Sequence, residues 1–155
     1  SRTAWLDSSS RDYPLGANSS DFKIYNHEIG LNDGEGSSPV GISAYVESAD
    51  FEIAEGDRFQ FISKIIPDIS FFGSTDPAPA VTFSLKPRNF SGSAYGTSDA
   101  STVTGTKMVD VQEFTEQAFI RVRGRQAAFR VESSGTNIAW KLGVPRIDIR
   151  PDGRK

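Results

Sequence analysis

The stretch AFIRVRGRQAAFRVES, residues 118–133, carries Arg121, Arg123, Arg125 and Arg130 in a chain whose net charge is −3. With a turn at Gly124-Arg125, Ala118, Ile120 and Val122 fall on one face, opposite Val131, Phe129 and Ala127. The other face then holds Gln117, Phe119, Arg121 and Arg123 opposite Glu132, Arg130, Ala128 and Gln126. One register sorts polar from apolar on both strands. A slip of one residue would drive arginines into the core, so the register is strongly specified. Glycine at the first loop position suits a type II′ turn. A two-residue hairpin is expected, with its arginines facing outward from a sheet.

Strand patterns continue on both sides of this stretch. Upstream, VTFSLKPRNF alternates Val81, Phe83 and Leu85 with Thr82, Ser84 and Lys86, and TVTGTKMVDVQ reads as a further strand. VQEFTEQ has room for one helical turn at most. Downstream, Ile138, Trp140 and Leu142 alternate with Ala139 and Lys141, and Ile147 and Ile149 with Arg146, Asp148 and Arg150. Earlier still come FKIYNHEI, VGISAYVESADFEI and RFQFISKIIPDISFF. A glycine-containing turn at Glu55-Gly56-Asp57 would pair Ile53 with Phe59 and Phe51 with Phe61. Pro67 marks a bulge, an edge or a strand end. No long 3.6-residue apolar period occurs. The pattern is that of an all-β chain, an antiparallel β-sandwich-like domain of short strands and hairpins.

GSTDPAPA (73–80) mixes turn formers with two prolines and is the best internal boundary. Residues 1–72 form an N-terminal strand group that could close a preceding domain. Residues 81–155 form a C-terminal antiparallel sheet, expected to share one core with 20–72. The chain opens abruptly on Ser1, without an initiating methionine or a signal pattern, and reads as a piece of a longer protein.

Composition narrows the chemistry. The absence of cysteine excludes disulfides and zinc–thiolate sites, and a single histidine, His27, excludes a multi-histidine metal centre. No apolar run approaches the roughly 18–20 residues of a membrane-spanning helix. Charge is uneven: residues 1–77 hold 5 basic and 13 acidic groups, net −8, and residues 78–155 hold 12 basic and 7 acidic, net +5, summing to −3. Such asymmetry marks either a polyanion-binding face or complementary protein surfaces.

No catalytic constellation stands out. His27 and Glu28 are neighbours on a strand pattern and point to opposite faces, so His27 reads as a structural or loop-anchoring residue. There is no G-x-S-x-G elbow and no phosphate-cradling glycine loop. LNDGEG (31–36) offers oxygen ligands but lacks the spacing of a calcium loop, and reads as an acidic tip. No enzyme, cofactor or metal site is assigned. Trp140 falls on the apolar side of its strand and is expected in the core. Interleaved aromatics and arginines can hold single-stranded nucleic acid, but only Phe119 shares the arginine face.

The segments VRGRQ (122–126), AFRVES (128–133), WKLG (140–143) and PRIDIRPDGRK (145–155) resemble the last segment of large virion structural proteins of tailed bacteriophages, especially tail proteins of the short-tailed kind. YNHEIG (25–30), FISKIIPD (61–68) and VTFSLKPRNFSGSAYG (81–96) look like the same family. The resemblance implies an architectural role in a tail hub, tube or nozzle, as part of the virion. It implies contacts with other tail proteins and with copies of itself in the assembled particle, at most transient contact with DNA, and none with membrane. The interface candidates are Arg121, Arg123, Arg125, Arg130, Arg150, Arg154 and Lys155. The alternative is a carbohydrate-binding β-sandwich module for host-surface recognition. It would use Trp5 or Tyr95 for stacking, with Asp33 or Glu35 on sugar hydroxyls or a cation.

Overall fold

A computed structural model of the chain describes residues 3–33, 38–52, 54–95 and 105–153. Its strands in chain order are β1 (Ala4–Leu6), β2 (Leu15–Asn18), β3 (Lys23–Asn26), β4 (Asn32–Asp33), β5 (Val40–Gly41), β6 (Ala44–Glu47), β7 (Phe51–Glu52) and β8 (Gln60–Ile66). There follow β9 (Ile69–Ser70), β10 (Ala80–Arg88), β11 (Lys107–Gln112), β12 (Ala118–Gly124), β13 (Gln126–Ser133), β14 (Lys141–Leu142) and β15 (Arg146–Pro151). The one helical element among the described residues is a 3₁₀ turn at Ala54–Gly56. Every strand pair is antiparallel.

The chain divides into two compact units, Ser1–Leu31 and Asn32–Lys155. The first is a three-stranded sheet in the order β1-β2-β3. Its register lines up Leu6 with Leu15 and Asn26, and Ala4 with Ala17 and Ile24, so one face of this small sheet is apolar except for Asn26.

In the second unit, β11-β10-β13-β6 form one sheet, with β7 also pairing β13, and β12-β8-β15 form another. Their apolar rows share one core. Val81, Phe83 and Leu85 of β10, Val111 of β11 and Ala127, Phe129 and Val131 of β13 come from the first sheet. Ile62 and Ile65 of β8 and Ala118, Ile120 and Val122 of β12 come from the second. All-β and sandwich-like is thus the architecture, and alternation identified the buried rows of β10, β12 and β13 correctly. Phe71 and Val81, on either side of 73–80, both lie in this core. Ile138, Trp140, Leu142, Ile147 and Ile149 pack against it, and the Trp140 indole N–H donates to Ser133 Oγ at 2.8 Å. Strand β8 ends just before Pro67. VQEFTEQ holds no helical turn; its first residues finish β11 and the chain then turns into β12.

The hairpin at Gly124-Arg125 does not form. β12 pairs β8, with Val122 opposite Ile62 and Gly124 opposite Gln60. β13 pairs β10 on one edge and β6 and β7 on the other. Both hydrogen-bonding edges of β13 are therefore filled by strands distant in sequence, leaving none for β12. The chain instead crosses from one sheet to the other within a residue: the Arg125 N–H already donates to Arg88 O of β10 at 3.0 Å. Gly124 does not have the positive φ of a II′ turn. It is required by proximity, since a Cβ there would lie 3.0 Å from Pro87 Cβ and 3.1 Å from Gln126 O.

The turn at residues 55–57 is a second crossing and not a hairpin. Phe51 pairs Ala127 in the first sheet, Phe61 pairs Arg123 and Arg150 in the second, and Ile53 lies outside the described residues. Arg125 ties the two crossings together by donating from Nη1 to Gly56 O at 3.2 Å and Asp57 O at 3.1 Å. Its guanidinium lies 4.9 Å from the centre of the buried Phe59 ring. Another long-range tie joins Asn32 to Asn137: Asn32 Nδ2 donates to Asn137 Oδ1 at 2.7 Å and Asn137 N to Asn32 Oδ1 at 2.6 Å. That clasp holds Asn137 in the left-handed region at φ 62°.

Candidate functional site

The outward face of β12, β8 and β15 carries three of the seven interface candidates, Arg121, Arg123 and Arg150. Because Ala118, Ile120 and Val122 are buried, Phe119, Arg121 and Arg123 must point away from the core. The register then sets two rows across the sheet, Phe119–Lys64–Asp148 and Arg123–Phe61–Arg150. Between Phe119 and Val122 the ladder with β8 is irregular, so Arg121 sits at a bulge on an edge strand. Bulges at sheet edges re-aim side chains and discourage further strand pairing.

The arginines fare differently from one another. Arg123 Nε donates to Asp152 Oδ2 at 2.5 Å, and the guanidinium lies 4.0 Å from the Phe59 ring centre. Arg125 serves the two crossings. Arg150, 72 % exposed in its side chain, stands 3.4 Å from Asp148. Arg121 is exposed and makes no hydrogen bond or ion pair with any described residue. Beside it Phe119 is 75 % exposed, and Phe114, in the turn entering β12, is 88 % exposed. These two rings border a surface recess of about 410 Å³ that also takes in Thr115, Glu116 and Gln117. Arg154 and Lys155 lie outside the described residues.

Arg130 belongs to the opposite outer face, that of the five-stranded sheet, in a closed network. Its Nη2 lies 2.7 Å from Glu132 and its Nη1 3.2 Å from Glu47, with the guanidinium 3.9 Å above the Tyr45 ring. Lys86 meets Glu47 at 2.8 Å, and Arg88 pairs with Asp50. Glu47 and Asp50 come from the acidic first half and Lys86, Arg88 and Arg130 from the basic second half. Three basic groups of the second half are thus answered by two acidic groups of the first.

Lys86, and then Arg130, hold the Glu47 carboxyl below its ordinary value of 4.5, against the opposing effect of burial. The stabilisation this represents is whole above that value and fades as pH falls through the lower, folded one. Wild-type protein should thus lose more urea resistance between about pH 6 and about pH 3 than Glu47→Gln does. Equal losses would show that Glu47 is not paired in solution.

Of the residues of the carbohydrate alternative, Trp5 belongs to the first unit and Asp33 and Tyr95 to the second. Trp5, 60 % exposed, is in the first unit, where its ring lies 4.4 Å from that of His27. Tyr95 donates its hydroxyl to Asp50 Oδ1 at 2.7 Å and lies under Lys86 and Arg88, at 4.5 and 5.5 Å from its ring centre. The Asp50 carboxylate and burial together raise the Tyr95 hydroxyl above its usual range. Asp33 is exposed at the end of β4, and Glu35 is outside the described residues.

Sequence reasoning missed Phe114, which a helical reading of VQEFTEQ left without a face. It also missed the acidic partners of Arg130, which lie 83 residues away at Glu47 and, nearer, at Glu132. Among the described residues no group of three or more histidine or acidic side chains is placed to hold a metal ion, and no helix is long and apolar enough to cross a membrane. No protein-family model matches the chain, and a search of curated proteins finds no match to it.

Proposed function

We propose that the chain is a structural component of a phage virion, within the tail, that works by protein–protein contacts. The observation that carries this is the exposed pair Phe114 and Phe119, in and just before the edge strand β12, beside Arg121, which has no partner among the described residues. Large aromatic groups and arginine are the side chains that most often anchor protein interfaces. An arginine without an internal partner can pair with a neighbour's carboxylate at no cost to the fold. The apolar face of the first unit, with Leu6 54 % and Ile24 72 % exposed, is a second surface of the same kind. The sequence resemblance to tail proteins supplies the setting, and other tail proteins or further copies of this chain are the partners.

Arg121→Glu and Phe119→Ser test this in a phage carrying the full protein. Both should block tail assembly, seen by electron microscopy, while changing the stability of the purified chain by no more than about 0.5 kcal/mol. Normal tails in both variants would remove the proposal. Normal tails with slowed genome delivery would replace it by a channel-lining role.

A further inference from the structure

The two outer faces of the Asn32–Lys155 unit carry opposite charge. On the sheet of β12, β8 and β15, Ile62, Ile65, Val122, Ile147 and Ile149 turn toward the core. Lys64, Arg121, Arg123, Arg146 and Arg150 therefore turn outward. Asp148 on β15 and Asp152 just beyond it stand among them, so five basic and two acidic groups leave this face at net +3. Arg121 and Arg146 are exposed and have no side-chain hydrogen bond or ion pair with a described residue. Arg150 is 72 % exposed.

The face on the other side of the core is acidic. The register of the five-stranded sheet brings Glu47, Glu52, Asp110 and Glu132 to its outer surface, and Asp50 joins them on Arg88. Lys86, Arg88 and Arg130 are the cations there, so five acidic and three basic groups leave net −2. Each of these cations already meets a carboxylate of the same face, and the Tyr95 ring lies against Lys86 and Arg88. Glu52 and Asp110 remain exposed. Both faces also present apolar anchors: Phe119 on the basic one, and Tyr45 and Met108, 62 % and 65 % exposed, on the acidic one.

We infer that copies of this chain dock front to back, with the basic face of β12, β8 and β15 seated on the acidic outer face of the next copy's five-stranded sheet. The inference rests on the reading of the chain as a protein-contact component, and it names a second copy as the partner of the Phe119–Arg121 surface. Complementary charge steers such a contact and fixes its register. Like charge opposes the alternative in which two basic faces meet across a two-fold axis. Because the faces lie on opposite sides of one core, each docked copy keeps one face open. The contact is thus heterologous, and growth continues until rotation closes a ring or a filament forms.

Sedimentation velocity of the purified chain tests this. At low ionic strength the sedimentation coefficient should rise with concentration beyond that of a dimer, and about 0.5 M salt should suppress the rise. Phe119→Ser with Arg121→Ser disables the basic face, and Tyr45→Ser with Asp110→Asn the acidic face. Each double variant should keep the wild-type melting temperature and stay monomeric at concentrations about tenfold above those at which wild type associates. An equimolar mixture of the two should form a one-to-one dimer and stop there, since one intact face of each kind is left. A wild-type chain that is monomeric at every concentration, or a Tyr45→Ser, Asp110→Asn variant that associates like wild type, would overturn the inference. A monomeric chain whose Arg121→Glu variant still blocks tail assembly would overturn it too, and would leave the tail reading standing with a different tail protein as partner.

Discussion

Phe83→Ala is expected to lower the unfolding free energy by about 3–5 kcal/mol, the range for removing a large buried aromatic side chain. Phe83 is fully buried near the middle of β10, opposite Val131 and Val109, with its ring edge-on to Phe129 at 5.1 Å. It stands in the core that both sheets share, so the void left behind has walls from more than one strand and cannot close by a local adjustment. Pairing the change with Phe129→Leu in a double-mutant cycle should recover about 0.5–1.5 kcal/mol of coupling for the edge-on contact. Urea unfolding monitored by fluorescence measures both quantities. A loss under about 1 kcal/mol would mean that the row Val81, Phe83, Leu85 is not the centre of the core.

Gly41→Ala should cost about 3 kcal/mol or more, although it adds a single methyl group on the short strand β5. A Cβ at this position would lie 2.0 Å from Ser134 O and 2.5 Å from Gly135 O. Both obstacles are backbone, so no rotamer change relieves the overlap, and one strand or the loop after β13 must move. The same loop carries Asn137, held by Asn32, so movement there would also pull on the Asn32–Asn137 clasp. The requirement at Gly41 is proximity and not an unusual φ. A melting temperature equal to wild type in Gly41→Ala would show that β5 does not approach this loop.

The buried faces of the strands were legible in the sequence, because alternation with a period of two reports directly which side chains turn inward. Val81, Phe83 and Leu85, then Ala118, Ile120 and Val122, then Phe129 and Val131 all followed that rule. Strand partnership was not legible. Two consecutive strands with matched apolar rows can lie side by side in one sheet or face each other across a sandwich, and the alternation is the same. What decides between these is whether a distant strand claims the free edge. Here β10, β6 and β7 claim both edges of β13, from residues 44–52 and 80–88. A glycine between the strands fits either outcome, since Gly124 is equally suited to a tight turn and to a tight crossing.

The fate of the arginines was hidden for a related reason. Their outward direction followed from alternation, but their partners did not. Arg130 finds Glu47 only because β6 lies against β13. Arg125 finds the carbonyls of Gly56 and Asp57 only because two crossings converge. Arg121 has no partner among the described residues, and it sits on an edge strand at a bulge, a circumstance no local pattern announces.

Everything proposed for Phe119 and Arg121 requires that β12 belong to the sheet of β8 and β15, with its polar row turned outward. Backbone NOEs in a labelled sample test that pairing directly. Cross-strand contacts should link Val122 with Ile62, Arg123 with Phe61 and Gly124 with Gln60, while Ala127, Phe129 and Val131 should meet Pro87, Leu85 and Phe83. Cross-strand backbone contacts of Val122 with Ala127 and of Ile120 with Phe129 would instead show a single hairpin, contradict the two-sheet arrangement, and return the arginines to one shared face.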